Sequence, residues 1–395
     1  MHIPRMKRTS SVVTAGLRRP VVAIALAGGV AVALAAGASA SAQAGAGSPA
    51  TAGAVSRPSA AAGVLAGTWK RLPAAPVTRA PQFLASVWTG HELIVRGIQL
   101  ELVTRRFTIG YRLAANAWAQ LARGPLPGGI EIAAWTGSEM LALGANGGAY
   151  KPATNRWRPI AADPLPQGGA VAGWTGRSEI VWGGIGISGP DTRNGAAYNP
   201  ATNTWRKLPP APLERRRDAM GAWTGRVLVV AGGFTFNGGQ RFFRDAAAYN
   251  PATNTWRKLP AMPQARAGGT AVWDGREVLF LGGFRPGANG PAGRGMAYNP
   301  ATNRWRLLPA MQFAQFGFAA VWTGRHVLVW GGATGAGIPP PHGEAYNPGT
   351  NSWTALPPAP LRGRPGPTAV WTGHSMIVWG GGQFTDGAIF TPRKP

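Results

Sequence analysis

Two segments of this 395-residue chain set arginine forks beside aromatic rings. One is Arg215-Arg216-Arg217-Asp218. The other is Phe234-Thr235-Phe236-Asn237-Gly238-Gly239-Gln240-Arg241-Phe242-Phe243-Arg244, and Arg266, Arg285 and Arg294 follow it. A guanidinium presents its donors as a planar fork that matches carboxylates and phosphates, and a neighbouring ring adds stacking and cation–π attraction. That chemistry is recognition of an acidic sugar, a phosphate or a stacked base. The alternative is a loop that packs its phenylalanines on its own sheet and leaves its arginines solvated.

The means for catalysis are thinner. General acid–base work needs poised groups facing one substrate position. Of the 14 acids, Glu92, Glu139, Glu179 and Glu277 each follow a short turn and are expected to be solvated hairpin ends. Asp191, Asp245 and Glu344 fall in or after loops. Glu131 and Asp218 lie on or just before innermost strands and could face a channel. His91, His326 and His374 sit in or beside turns, His342 is in a loop and His2 is near the N-terminus, so no pair has metal-ligand spacing. No cysteine occurs, which removes disulfides, thiolate metal sites and cysteine nucleophiles. No cofactor or metal is expected.

The elements that must position these side chains repeat seven times with a period near 49. The unit from Arg266 to Pro309 has four short apolar runs divided by turn residues, the pattern of consecutive antiparallel strands, here called a to d. Strand a ends in Trp88, Trp135, Trp174, Trp223, Trp273, Trp322 or Trp371. Asp274-Gly275 is a favoured a–b hairpin turn, and Thr-Gly holds that place in the other units. In strand c, Tyr111, Tyr150, Tyr198, Tyr249, Tyr298 and Tyr346 each precede a strand-d tryptophan by seven residues. The last unit stops after strand c, and the one spare strand d is Trp69-Lys70-Arg71-Leu72-Pro73. Residues 68–73 should therefore complete the last blade, closing an all-β, seven-bladed propeller of four-stranded blades and removing exposed sheet edges.

The double glycine ending strand b (Gly183-Gly184, Gly232-Gly233, Gly282-Gly283, Gly331-Gly332, Gly380-Gly381), the tyrosine and the tryptophan seven residues later resemble the kelch repeat. The resemblance covers residues 67–395. It departs in blade 1, where Arg96-Gly97 stands for the double glycine, in the short blade 2, and in blade 7, where Phe390 replaces tyrosine. The Trp-Thr-Gly and Tyr-Asn-Pro-Ala-Thr-Asn wording looks like secreted bacterial kelch proteins and the galactose-oxidase central domain. That likeness implies a copper site of two tyrosines, two histidines and a cysteine, yet there is no cysteine and every tyrosine is committed to the repeat. A second resemblance, to kelch-type sialic acid epimerases, implies acid–base residues at the propeller mouth, for which Glu131 and Asp218 are the candidates.

Residues 1–19 hold Arg5, Lys7, Arg8, Arg18 and Arg19, an apolar run covers Val21 to Ala36, and Ala-x-Ala sites follow at Ala40 and Ala44. This is the layout of a secretory signal peptide over 1–44, cleaved near Ala40 or Ala44. An uncleaved anchor is the other option, and the one expected route to a membrane. Residues 45–66, nearly all Ala, Gly, Ser and Pro, read as a flexible linker. The formal charge of +26 falls to +21 without the five charges of the leader. Such a field attracts polyanions.

Because strands alternate in direction, b–c and d–a loops share one face while a–b and c–d turns share the other. Arg177, Arg226, Arg276 and Arg325, with Arg156, Arg206, Arg257 and Arg304, recur on the turn face and are expected to be solvated turn and edge charges. The irregular arginines occupy the loop face. The expectation is a secreted, non-catalytic, monomeric binding module for an acidic glycan, anionic envelope polymer or protein. Its contacts would be Arg215, Arg216, Arg217, Arg241, Phe242, Phe243, Arg244, Arg266, Arg285 and Arg294. No nucleic-acid module is present, so specific DNA or RNA binding is not expected.

Overall fold

The computed structural model describes residues 63–393, apart from 80, 100–104, 126–131, 145–146, 165–167, 186–189, 237–238, 288–291, 313–314 and 335–341. The expected leader, most of the expected linker, and Glu131 lie outside the described residues. Seven antiparallel four-stranded sheets form the blades. Five are built from consecutive strands, and in blade 4 a two-stranded ribbon intervenes between the second and third strands. Blade 5, for example, runs Thr270–Trp273, Val278–Leu281, Arg294–Asn299 and Arg304–Ala310. The seventh is composite: Gly67–Arg71 is the outer strand beside Gly387–Pro392, then Met376–Trp379 and Thr368–Trp371. Trp69 stands opposite Phe390, as Trp256 stands opposite Tyr249. Ordered contacts begin ahead of the expected boundary at residue 67, because Leu65 N–H donates to the Ala355 carbonyl at 2.8 Å and its side chain packs between blades 6 and 7.

A four-stranded blade cannot bury both its faces alone, and the core accordingly lies in the seams. Ile180, Trp182 and Ala197 of blade 3 meet Leu228, Val230 and Ala247 of blade 4. Leu93, Val95 and Ile109 of blade 1 meet Ile377, Trp379 and Ile389 of blade 7, so the ring shuts on a seam like the others. Indole N–H groups add directional bonds across every seam. Trp118, Trp157, Trp205, Trp256, Trp305 and Trp353 donate to the carbonyls of Pro73, Ala122, Ala161, Pro209, Pro260 and Pro309 at 2.7–3.1 Å. Trp69 closes the set on Pro357 at 2.9 Å.

The strand-c tyrosines also have a definite task. Each hydroxyl donates to the asparagine five residues on, at 2.8 Å in all six blades that carry one. Those asparagines hold left-handed φ of 47–55° in the c–d turn, a conformation asparagine tolerates better than most residues. Blade 7 has no c–d turn, since its strand d comes from the other end of the chain. A hydroxyl there would lack its asparagine, and the position is Phe390, fully buried against Trp69 with ring centroids 5.1 Å apart.

Two expectations about strand b need correction. The registers align Arg96 with Trp182, the last residue before the glycine pair, because Arg96 faces Thr108 and Trp182 faces Gly195 three residues before the tyrosine. Gly97 is thus the first glycine and Ile98 replaces the second. Arg96 is buried, stacks over Trp157 of blade 2 at 4.5 Å and donates to the Pro125 carbonyl at 2.5 Å. The four turn glutamates are not solvated ends either. Glu139 and Glu277 accept from Arg158 and Arg306 of their own outer strands at 2.7 and 2.6 Å, and Glu92 pairs with Arg112 at 3.5 Å. Glu179 lies one residue further in, facing Tyr198 where blade 5 has Val278 facing Tyr298. That is an apolar core position, and burial pushes the Glu179 carboxyl well above the usual carboxylate range.

Two outcomes test this account. Deleting residues 63–73 exposes the paired edge of Gly387–Pro392 and strips Trp69 from the last seam, so the shortened protein should associate through that edge and unfold at lower temperature. Light scattering with thermal unfolding reads both, and an equally stable monomer would refute strand closure. For Glu179, the folded state holds the proton more tightly than the unfolded chain. Its contribution is therefore complete below about pH 4.5 and declines as pH rises toward the folded-state value. Glu179→Gln should raise the melting temperature at neutral pH by several degrees, with the gain vanishing near pH ~4.

Candidate functional site

The innermost strands surround a central channel of about 390 Å3. Its wall is small or apolar, including Ala85, Ala172, Gly221, Ala271, Ala320 and Ala369, with Ser86, Thr270 and Thr368 as its hydroxyls. Among the described residues no ionisable side chain lines it. Asp218, expected to face this space, is instead buried at the junction of blades 3 and 4. Its N–H donates to Gly169 at 2.8 Å, and its carbonyl accepts from Gly268 of blade 5 at 2.9 Å. Its backbone is left-handed, with φ of 50°, which turns the chain sharply into strand a.

The loop face is held by a repeated device. Seven residues before the strand-a tryptophan, blades 4, 5 and 7 carry Arg216, Arg266 and Arg364, each at most 1% exposed. The backbone of each ties to the previous blade. The second glycines Gly184, Gly233 and Gly332 donate to the carbonyls of Arg216, Arg266 and Arg364 at 2.9, 2.7 and 2.8 Å. The first glycine of each pair lies under that carbonyl with positive φ (78° at Gly331), so a Cβ there would meet both a steric and a conformational penalty. The side chain then grips its own blade. Arg216 donates to the Gly232 carbonyl at 2.9 Å and, as a fork, to Asp245 at 2.6 and 2.9 Å. Arg364 reaches Asp386 at 2.5 Å.

This placement corrects the expected contact set. Arg216 and Arg266 are clamps sealed from solvent, and Phe243 is buried between Arg216 and Arg241, 4.0 and 4.7 Å from their guanidinium carbons. They support the surface and do not form it. Arg217 is largely covered and donates to Asp191 of blade 3 at 2.6 Å. Asp191 is buried and also accepts from Thr235 at 2.6 Å. Arg241 pairs with Glu214. The b–c loop of blade 4 forms a short ribbon, Phe234–Thr235 with Arg241–Phe242, in which Phe242 stacks on Phe234 at 5.6 Å. Much of the blade 4 charge is thus neutralised locally. Arg215 and Arg244 remain exposed, the latter with its Nε on the Met262 carbonyl at 3.1 Å at the blade 5 border. Phe236, 49% exposed, is the aromatic that the face offers, and it was not singled out from sequence.

Blade 5 differs. Arg285 and Arg294 are exposed, and Arg294 occupies the place of Asp245 and Asp386, four residues before the strand-c aromatic. Both positions are visible in the repeat once Trp and Tyr are used as markers, but their pairing is visible only in the fold.

On the turn face, Arg177, Arg226, Arg276 and Arg325 are exposed as expected. Arg206 and Arg257 are not simply solvated. They reach the next blade, Arg206 to the Tyr249 hydroxyl at 3.1 Å and to Asn254, Arg257 to Asn303 at 3.2 Å. His91, His326 and His374 occupy a–b turns of separate blades, and among the described residues no group of three or more His, Cys, Asp or Glu could hold a metal ion. No helix among the described residues is long and apolar enough to cross a membrane.

A kelch motif matches residues 224–263, which run from the a–b turn of blade 4 past its strand d. Solved structures with this architecture include a fungal alcohol oxidase with catalytic diversity among the AA5 family, in complex with copper. It is 16% identical, with a TM-score of 0.64, over 82% of this chain and 76% of that one. At that identity the likeness is one of fold. No curated protein matches the chain. The molecule is a seven-bladed propeller of four-stranded antiparallel sheets that carries a kelch motif.

Clamp and surface arginines should separate by mutation. Arg216→Ala leaves Asp245 and the Gly232 carbonyl without their donor and should cost about 3–5 kcal/mol. Arg215→Ala should stay within about 0.5 kcal/mol. Urea unfolding of the two variants reads the difference, and equal stabilities would remove the clamp assignment.

Proposed function

We propose that this chain is an exported binding module that holds an anionic polymer, a glycan or phosphate polymer, on the loop face of blades 4 and 5. The observation that carries the reading is that Arg215, Arg244, Arg285 and Arg294 all stand exposed in the loop-face segments of blades 4 and 5, where Phe236 is exposed as well. The formal charge of +21 that remains without the leader's five cations, out of +26, supplies a long-range field of matching sign. Recurrent arginines of the turn face follow the repeat, whereas these break it. A surface built on rigid blades needs little reordering to bind, which favours affinity.

Catalysis at the channel has less support. Asp218 is buried away from it, and the lining described above offers only hydroxyls and small apolar groups. The copper chemistry of the structural neighbour would need ligands that these residues do not assemble, since the six tyrosine hydroxyls are spent on asparagines and the turn histidines lie in separate blades. A leader over residues 1–44 would place the propeller outside the cell, where acidic glycans and envelope phosphate polymers are the abundant polyanions.

Retention on immobilised heparin and on polyphosphate tests the reading. Replacing Arg215, Arg244 and Arg285 together by alanine should weaken retention at least tenfold at moderate salt. A matched variant with Arg177, Arg226 and Arg325 replaced should lose far less. Unchanged retention in the first variant, or equal loss in both, would overturn the assignment of this face.

A further inference from the structure

Three blades of this molecule repeat the same buried arginine, and one of them lacks its counter-ion. Arg216 is neutralised by Asp245 and Arg364 by Asp386, each carboxylate standing four residues before the strand-c aromatic. In blade 5 that position is Arg294, so the acid is replaced by a second cation. The Arg266 guanidinium is 1% exposed and donates only to neutral acceptors. Nη1 donates to the carbonyls of Gly282 and Arg294 at 3.0 and 2.8 Å, and Nη2 to the side-chain oxygen of Gln264 at 3.0 Å. Nε has no acceptor among the described residues, and no carboxylate there pairs with this side chain. Burial first, and then the nearby charge of Arg285, push the Arg266 guanidinium down to about 10.

A buried cation with no counter-charge is among the costlier things a fold can hold, and a bound anion would offset that cost. The rim of this site suits one. Gln264, half-buried, covers Nη2 with a neutral amide that can swing aside. Arg294 is exposed at the spot where the other blades hold a carboxylate, and Arg285 is exposed beside it.

We propose that blade 5 carries an oxyanion site in which one phosphate or carboxylate group of the ligand supplies the counter-charge that Asp245 and Asp386 supply in blades 4 and 7. The group displaces Gln264 from Nη2 of Arg266 and is bracketed by Arg285 and Arg294. This assignment rests on the loop face being the ligand surface and names the chemical group that anchors there. With both Nη1 hydrogens held by the Gly282 and Arg294 carbonyls, the Nε–Nη2 edge of Arg266 would receive two oxygens side by side, Nε being the donor that has no acceptor.

The test uses thermal unfolding of the whole protein with inorganic phosphate, acetate or chloride at constant ionic strength. Phosphate, or phosphate and acetate, should raise the melting temperature by several degrees over chloride. A shift with phosphate alone assigns phosphoryl groups as the ligand, and a shift with both admits carboxylates. Arg294→Asp should rebuild the internal ion pair, melting higher than the native protein in chloride and losing the anion-dependent shift. Gln264→Glu places a carboxylate at Nη2 directly and should do the same if the first variant folds poorly. Arg226→Asp makes the same charge change on the opposite face and should keep the shift. The proposal fails if the native protein shows no anion-specific shift, if both site variants retain it, or if Arg226→Asp abolishes it equally. Polymer retention measured alongside separates the two readings. Retention without a phosphate effect removes this site alone, while a phosphate effect without retention removes the polymer reading alone.

Discussion

An indole N–H donated to the carbonyl of the blade behind it is the contact on which this ring turns. Seven such bonds, from Trp69 on Pro357 round to Trp353 on Pro309, fix each outer strand against its predecessor. One bond contributes only about 1 kcal/mol net. Their importance lies in where they fall. The apolar core is divided among the seams, so each blade depends on its neighbours for its burial, as repeats in repeat proteins do in general. An indole that loses its carbonyl also loses the register that lets the seam pack. The composite seventh blade follows from this dependence, since a ring of interdependent wedges has no place for a free end.

A second ring, less complete, works on the loop face. Glycine pairs let the backbone of the next blade's clamp residue pass close above them, and the clamp side chain then grips its own blade, at a glycine carbonyl for Arg216 and Arg266 and at Asp386 for Arg364. Arg216, Arg266 and Arg364 serve in three blades, and the uncharged Gln315, also buried, stands at that position in blade 6. The loops of this face are therefore anchored at their roots and free to vary beyond them. Phe236, Arg215, Arg244, Arg285 and Arg294 stand on that variable part. The turn face differs because its tyrosine–asparagine bonds recur in every complete hairpin, which leaves it nearly uniform.

Much of the arginine content does structural work that its position in the sequence disguises. Arg206 and Arg257 tie neighbouring blades, Arg158 and Arg306 hold glutamates, and Arg216 and Arg217 are matched by Asp245 and Asp191. A count of charges along a loop treats all of these alike. The blade 4 loops, richest in arginine, prove largely self-neutralised, and the unbalanced charge sits at the border with blade 5. Glu179 teaches the same lesson for acids. One residue separates it from the position of Glu277, and that single step moves a carboxylate from an ion pair into the core, because neighbouring strand residues point to opposite faces.

From sequence alone, periodic tryptophan, tyrosine and glycine determined the number of blades, the strand order, the closing strand and the two faces. These features are set by local rules: strand alternation, turn chemistry and the need to satisfy every sheet edge. Phe390 in place of tyrosine was legible too, although its reason, the missing c–d turn, needed the closed ring. Only the tertiary structure decided which arginines meet carboxylates and which meet solvent. Asp191 and Arg217 lie 26 residues apart, and Arg216 and Asp245 lie 29 apart, in different loops. Such pairs form through the stacking of one blade on the next and the return of each loop over its own sheet. No local spacing encodes those distances, and so the charge left over at blade 5 became visible only when the ring was assembled.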